Sequence, residues 1–214
     1  MVCATQINAA SEVKPKRPSP NEIPELYPER YPGLRASAAP QKLRSDLPKD
    51  FNWCAKPDGG CVSNWQQHLP KYFPLCYLHA TLTMVTDRIR YALRGKGVPD
   101  VVLSRQDVLD CAGEFGYGQN PGGGGEGVDV LEYMRQHGVP DETCNPFTGN
   151  LEGKCNKDAR CRNCMMLQND NLPHCWPVEK YAKFRVKDYG FVRGELGIMS
   201  EIAQNGYVLV HILL

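Results

Sequence analysis

Ten cysteines in 214 residues constrain this chain more than any other feature. A reducing cytosol keeps thiols free, so this density reads as a disulfide framework built in an oxidising compartment. The ten are Cys3, Cys54, Cys61, Cys76, Cys111, Cys144, Cys155, Cys161, Cys164 and Cys175. Spacing alone does not choose their pairing.

Composition narrows the classes. Hydrophobic residues make up 42%, charged residues 23%, and the net charge is +1, so a packed domain is expected rather than a disordered chain. The balance of charge gives no case for nucleic acid or an anionic membrane. The longest apolar run, 208–214 broken by His211, is far short of the roughly 20 residues of a membrane span. Residues 1–10 show no basic stretch followed by an apolar one, so no signal peptide is visible.

Seven of the 17 prolines fall in residues 1–46. Proline at this density blocks helix and favours extended backbone. Residues 1–46 therefore read as an extended segment lying on, or detached from, the folded part, or as a disordered tail, and 47–214 as the folded domain. Within that domain, Leu78, Leu82, Val85, Ile89 and Leu93 recur at helical spacing and predict a helix over 77–93. Ser104 with Asp107 marks a capped helix start running to Asp110. Further helices are predicted over 128–137, closed by Gly138, and over 195–204, stopped before Gly206. The cysteine-rich 144–180 reads as a stapled loop region, with strands expected at 181–186 and 207–214. Helices early and strands late indicate an α+β fold with two lobes.

Cys76 stands at the start of the strongest helix. A helix N-terminus carries about half a positive charge, which favours thiolate over thiol. A thiolate is the nucleophile of covalent catalysis. The plainer reading of such a cysteine is a buried structural residue.

The surrounding residues add to this. Gln67, His68, Pro70, Tyr72, Cys76, His79 and Ala80, in that spacing, resemble the active-site segment of papain-like cysteine peptidases, most closely the cathepsin X (cathepsin Z) branch. Three other stretches resemble it too: Leu47-Pro48-Lys49 with Trp53, the run from His137 to Asn145, and Cys155, Cys161 and Cys164. The resemblance covers about 47–210. It implies a papain-like two-lobed fold with the helical lobe present and the β-barrel lobe largely missing. It implies a cysteine-type peptidase, a C-terminal exopeptidase in this branch, acting on peptide or protein substrates without a cofactor or metal. Cys76 takes the nucleophile position and Gln67 the oxyanion position. His68 lies in the inserted loop that binds the substrate's terminal carboxylate. Gly124 and Gly125 match the glycines along which substrate backbone lies. A monomer in the lysosome or secreted is implied as well.

The chain also departs from that pattern. Phe73-Pro74-Leu75 stands where the family has Cys-Gly-Ser, and the partner of that missing cysteine aligns with Gly122. Cys54 and Cys61 have no family counterpart and read as a small substitute loop. A papain-type enzyme also needs a histidine and an asparagine roughly 130–150 residues beyond its cysteine, and no Asn-His-x-Val or Asn-Ser-Trp-Gly motif follows. His211 falls in that window, yet its surroundings resemble a strand that precedes the base. His79 matches a family position that is not the base. The chain thus reads as truncated before the catalytic His and Asn. The resemblance makes 1–46 prosegment-like, and in the family a prosegment cysteine can cap the reactive thiol; Cys3 could do so, but at this distance it reads rather as free or lost on processing. Two other classes stand beside the enzyme. One is an inactive homologue or fragment with a binding or regulatory role. The other is a zinc module built from Cys155, Cys161, Cys164 and His174 or Cys175, which the family's disulfide spacing disfavours.

Overall fold

The computed structural model describes residues 31–36, 41–56, 61, 65–94, 96, 100–117, 124–168 and 171–210. The elements that position the site are helical. Among the described residues helix α1 (Cys76–Leu93) is the longest, and its Leu78, Leu82 and Val85 are buried as their spacing predicts. They pack on helix α2 (Arg105–Cys111) and helix α3 (Gly127–His137). Together with Leu103, Val108, Cys111, Val130, Tyr133, Met134 and Val139 they form one apolar core. Burying each such side chain contributes about 1.5–3 kcal/mol.

The helix ends follow local chemistry. Ser104 caps α2, its hydroxyl accepting from the Asp107 N–H at 3.1 Å, which satisfies one of the orphan donors of the first turn. Gly138 ends α3 at φ +69°, its N–H donating to the Met134 carbonyl; this is a backbone region open mainly to glycine.

The cysteine-rich stretch holds more order than the sequence suggests. After a single helical turn, α4 (Lys157–Arg160), strands β2 (Arg162–Met165) and β3 (His174–Pro177) form an antiparallel hairpin in which Cys164 faces Cys175. Both strands are exposed nearly throughout, so no alternating apolar pattern announces them. Four bridges are described: Cys54–Cys61, Cys111–Cys155, Cys144–Cys161 and Cys164–Cys175. The first is the expected substitute loop. The other three divide the zinc-like cysteines among separate disulfides.

Two strand expectations need correction. In 181–186 only Phe184 pairs, with Val139. The strand lies just beyond, at β4 (Tyr189–Phe191), and its partner is β1 (Leu34–Ala36), running parallel to it. Residues 207–210 form no strand; the Tyr207 carbonyl instead accepts from Arg88 Nε at 2.6 Å. Residues 211–214, with His211, lie outside the described residues. Helix α5 (Glu195–Asn205) forms as predicted and is tied to the body by the Trp53 indole, which donates to the Ile202 carbonyl at 2.7 Å. Among the described residues each sheet has two strands, none closes into a barrel, and no helix is long and apolar enough to cross a membrane.

Candidate active site

The loop 65–75 delivers the chain to the N-terminus of α1, and most of the candidate residues lie on it or against it. Its entry is held by Trp65, over whose ring the Arg105 guanidinium sits at 4.2 Å. Arg105 is buried; its Nη2 donates to Thr83 Oγ1 at 3.2 Å and its backbone N–H to Glu142 Oε2 at 3.3 Å. Burial pushes the Arg105 side chain down to about 10, with Glu142 opposing, so it stays a cation at neutral pH. A fixed positive charge therefore lies one layer beneath the loop.

Gln67 and His68 occupy a turn and are half-buried. Gln67 Nε2 lies 3.4 Å from His68 Nε2. An amide nitrogen only donates, so His68 Nε2 accepts and the ring proton is assigned to Nδ1. His68 Nδ1 is buried and has no hydrogen-bond partner. The ring stacks on Tyr72 at 4.3 Å with 12° between planes, and Tyr72 is itself exposed. Sequence reasoning gave His68 a role and Tyr72 only a place in the motif; the stacking of the two rings was not foreseen.

Cys76 opens α1 and is 8% exposed. Leu75, the bulky residue that departs from the family pattern, turns into the core at 3% exposed, so its size is taken up beneath the loop. The expectation of a free Cys76 thiol needs correction. Cys76 is disulfide-bonded, and no cysteine among the described residues is free. Cys3 lies outside the described residues.

The glycines meet the same loop. Gly124, at φ +77°, lies against the Pro74 carbonyl; a Cβ built there would be 3.7 Å from that oxygen. A Cβ on Gly125 would come within 2.8 Å of the Tyr77 ring. Closeness to Tyr77, the residue after Cys76, therefore demands glycine at 125. Gly122 lies outside the described residues.

His79 is a packing residue. It is 1% exposed, edge-on to Phe147 at 5.0 Å. Burial, then Arg105 and His68, lower its pKa to about 3. Such an imidazole stays neutral at any pH where a thiolate could be used, and neither ring nitrogen has a hydrogen-bond partner.

The helix-first cysteine, the Gln67–His68 turn and the paired glycines all lie on or against the loop that leads into α1. The sequence matches the description Papain family cysteine protease over residues 47–213, and the chain belongs to that family. It is 32% identical over 164 residues to cathepsin Z of Onchocerca volvulus, covering 75% of this chain and 49% of that protein. It is 24% identical over 159 residues to cathepsin C of Schistosoma mansoni, covering 74% of this chain and 30% of that one. The fold is similar to a solved structure from work on the mite allergens Blo t 1 and Der p 1, with TM-score 0.56, 15% identity, and coverage of 88% of this chain and 52% of that one. The chain thus spans half or less of the curated relatives it matches. Its helices and two small sheets form part of an α+β papain-like fold, and the family acts on peptide or protein substrates.

Proposed function

We propose that this chain carries the nucleophile side of a C-terminal exopeptidase site. Cys76 is the nucleophile, with its thiolate favoured by the positive end of α1. It attacks the carbonyl carbon of the last peptide bond. The oxyanion that forms accepts from the Gln67 amide and the Cys76 backbone N–H. Collapse breaks the C–N bond, releases the terminal amino acid and leaves an acyl thioester on Cys76; water then hydrolyses it. Gly124 and Gly125 leave room for substrate backbone. The proton shuttled in both steps needs an imidazole, and residues 1–214 carry no Asn-His-x-Val motif for it. The residues of this chain are therefore assigned substrate binding, the nucleophile and the oxyanion contacts, and not the proton transfers. A monomer, secreted or lysosomal, fits the bridge-rich composition.

One observation carries the exopeptidase reading: the buried, unpartnered His68 Nδ1 on the inserted loop. A buried donor without a partner costs about 1–3 kcal/mol, and a carboxylate oxygen relieves that cost. Cys76 also has to be freed. A small thiolate attacks the disulfide, one sulfur leaves as thiolate, and a second thiol completes the two-electron reduction.

Peptides with a free terminal carboxylate should protect reduced Cys76 from a peptidyl epoxide about tenfold better than their amides, the size expected of a charge-assisted hydrogen bond. His68→Ala should abolish that preference and leave labelling intact. Equal protection by acid and amide would defeat the exopeptidase reading and keep the peptidase one. The second reading, an inactive binding homologue, is favoured by the Phe73-Pro74-Leu75 departure. It requires that reduced Cys76 show no saturable labelling.

A further inference from the structure

Phe73 is the first of the three residues ahead of Cys76 that depart from the family pattern. Its half-buried ring packs against the apolar core and rests on Gly149. A Cβ built on Gly149 would fall 2.9 Å from Phe73 Cε2 and 3.2 Å from Pro70 Cδ, so both rings of the loop lie on bare backbone there. Gly149 is itself fixed. Its N–H donates to Gln106 Oε1 at 3.1 Å, and the Thr148 N–H and hydroxyl donate to the same oxygen at 3.0 and 3.1 Å. Gln106 is buried on the first turn of α2. Its Nε2 donates to the Asn150 carbonyl at 2.7 Å and to Asp110 Oδ1 at 2.8 Å. One glutamine thus ties 148–150 to α2 and makes them a platform for the loop.

Between this ring and Cys76 little is left to rotate. Proline fixes φ at position 74. The Leu75 N–H donates back to the Phe73 carbonyl at 2.9 Å, which closes a three-residue turn around Pro74. The Leu75 side chain is held in the core, and its carbonyl accepts from the His79 N–H at 3.0 Å, the bond that opens α1. The turn from Phe73 to Cys76 therefore moves as a unit. Its Pro74 carbonyl faces Gly124.

We infer that Phe73 is a positioning residue for Cys76: seated on the Gly149 platform, its ring sets the angle at which the Cys76 Sγ and backbone N–H meet a substrate carbonyl. This role rests on the reading of Cys76 as nucleophile. Its action is indirect, carried through Pro74 and Leu75. Losing the ring frees the turn, and a misplacement of about 1 Å costs a reacting geometry about 100-fold in rate. His68 and Gly125 lie outside the turn, so substrate binding is left in place.

The test compares the full chain with Phe73→Ala and Phe73→Leu, after mild thiol reduction, by inactivation with a peptidyl epoxide. Phe73→Ala should lower the maximal rate, kinact, by about tenfold or more. It should change the half-saturating concentration, KI, by less than about twofold, the split expected of a geometric role. Leucine refills most of the space on Gly149, so Phe73→Leu should return kinact to within about threefold of wild type. Hydrogen exchange at the Leu75 amide should speed by about tenfold in Phe73→Ala, recover in Phe73→Leu, and stay unchanged at the core amide of Val108. A wild-type chain without saturable labelling would sink the peptidase reading and leave the decision to exchange. A faster Leu75 amide restored by leucine then upholds Phe73 as the residue that sets the turn, and an unchanged one overturns it. Where labelling saturates, three results would overturn the assignment: an alanine variant with unchanged kinact, a leucine variant no better than alanine, or a KI that rises as kinact falls while Val108 also exchanges faster.

Discussion

Replacing Cys111 and Cys155 together by alanine is expected to cost about 4 kcal/mol of unfolding free energy. The bridge joins residues 44 apart, and closing a loop of that length removes about 4 kcal/mol of entropy from the unfolded chain. The native side adds to it, because Cys111 is fully buried in the core at the end of α2. The bridge also ties α2 to the loop whose Gly153 fits against Asp110 with no space for a Cβ. In urea, with a slope of about 2 kcal/mol/M for a domain of this size, the midpoint should fall by about 2 M. The matching change at Cys164 and Cys175 should cost less. That bridge closes a separation of 11 on an exposed hairpin already held by its ladder. Equal losses for both pairs would show that loop length does not govern the framework.

The second large effect concerns Asp107. Its carboxylate is fully buried between Tyr133, which donates to Oδ2 at 3.1 Å, and Arg160, whose Nε lies 2.6 Å from Oδ1. Asp107→Ala leaves the Arg160 charge without its partner in a poorly solvated site and should cost about 3–5 kcal/mol. Burial outweighs the attraction of Arg160 and the Tyr133 hydrogen bond, and raises the Asp107 carboxyl from 3.8 to about 7. An acid whose folded pKa is raised holds its proton more tightly when folded. Its contribution to stability is therefore complete below about pH 4 and is lost as pH rises through 7. Asp110 and Glu142 are raised in the same direction by burial. His79 and His137, lowered by burial, act oppositely and remove stability as pH falls below 6.5. The clean measurement is a difference: wild type minus Asp107→Asn, by denaturant melts from pH 4 to 8. Wild type should lose stability relative to Asp107→Asn as pH rises from 4 to 7. A flat difference would mean that Asp107 is ionised throughout.

Much of the helical part was legible because its signals are local. Leu78, Leu82 and Val85 mark α1, Ser104 with Asp107 marks α2, and Gly138 closes α3. The sheets were not. β1 lies in a proline-rich stretch, and its partner β4 is far along the chain, so the pairing leaves no local trace. The hairpin of β2 and β3 is exposed on both sides and has no alternation to read. At the site, the resemblance brought Gln67, His68, Cys76, Gly124 and Gly125 into view. It did not show the Arg105–Trp65 contact that anchors the loop or the stacking of Tyr72 on His68. Both depend on packing between segments. The disulfide at Cys76 was also misread, because a helix-first cysteine looks the same in sequence whether free or bridged.

The most direct measurement is the stoichiometry and position of a peptidyl epoxide on this chain before and after mild thiol reduction at acidic pH. One equivalent on Cys76 after reduction, saturable, with none before it and none on Cys76→Ala, is the result expected of a papain-type nucleophile released from its disulfide. Label spread over the bridge cysteines, or a reduced Cys76 that reacts no faster than a simple thiol, would contradict it.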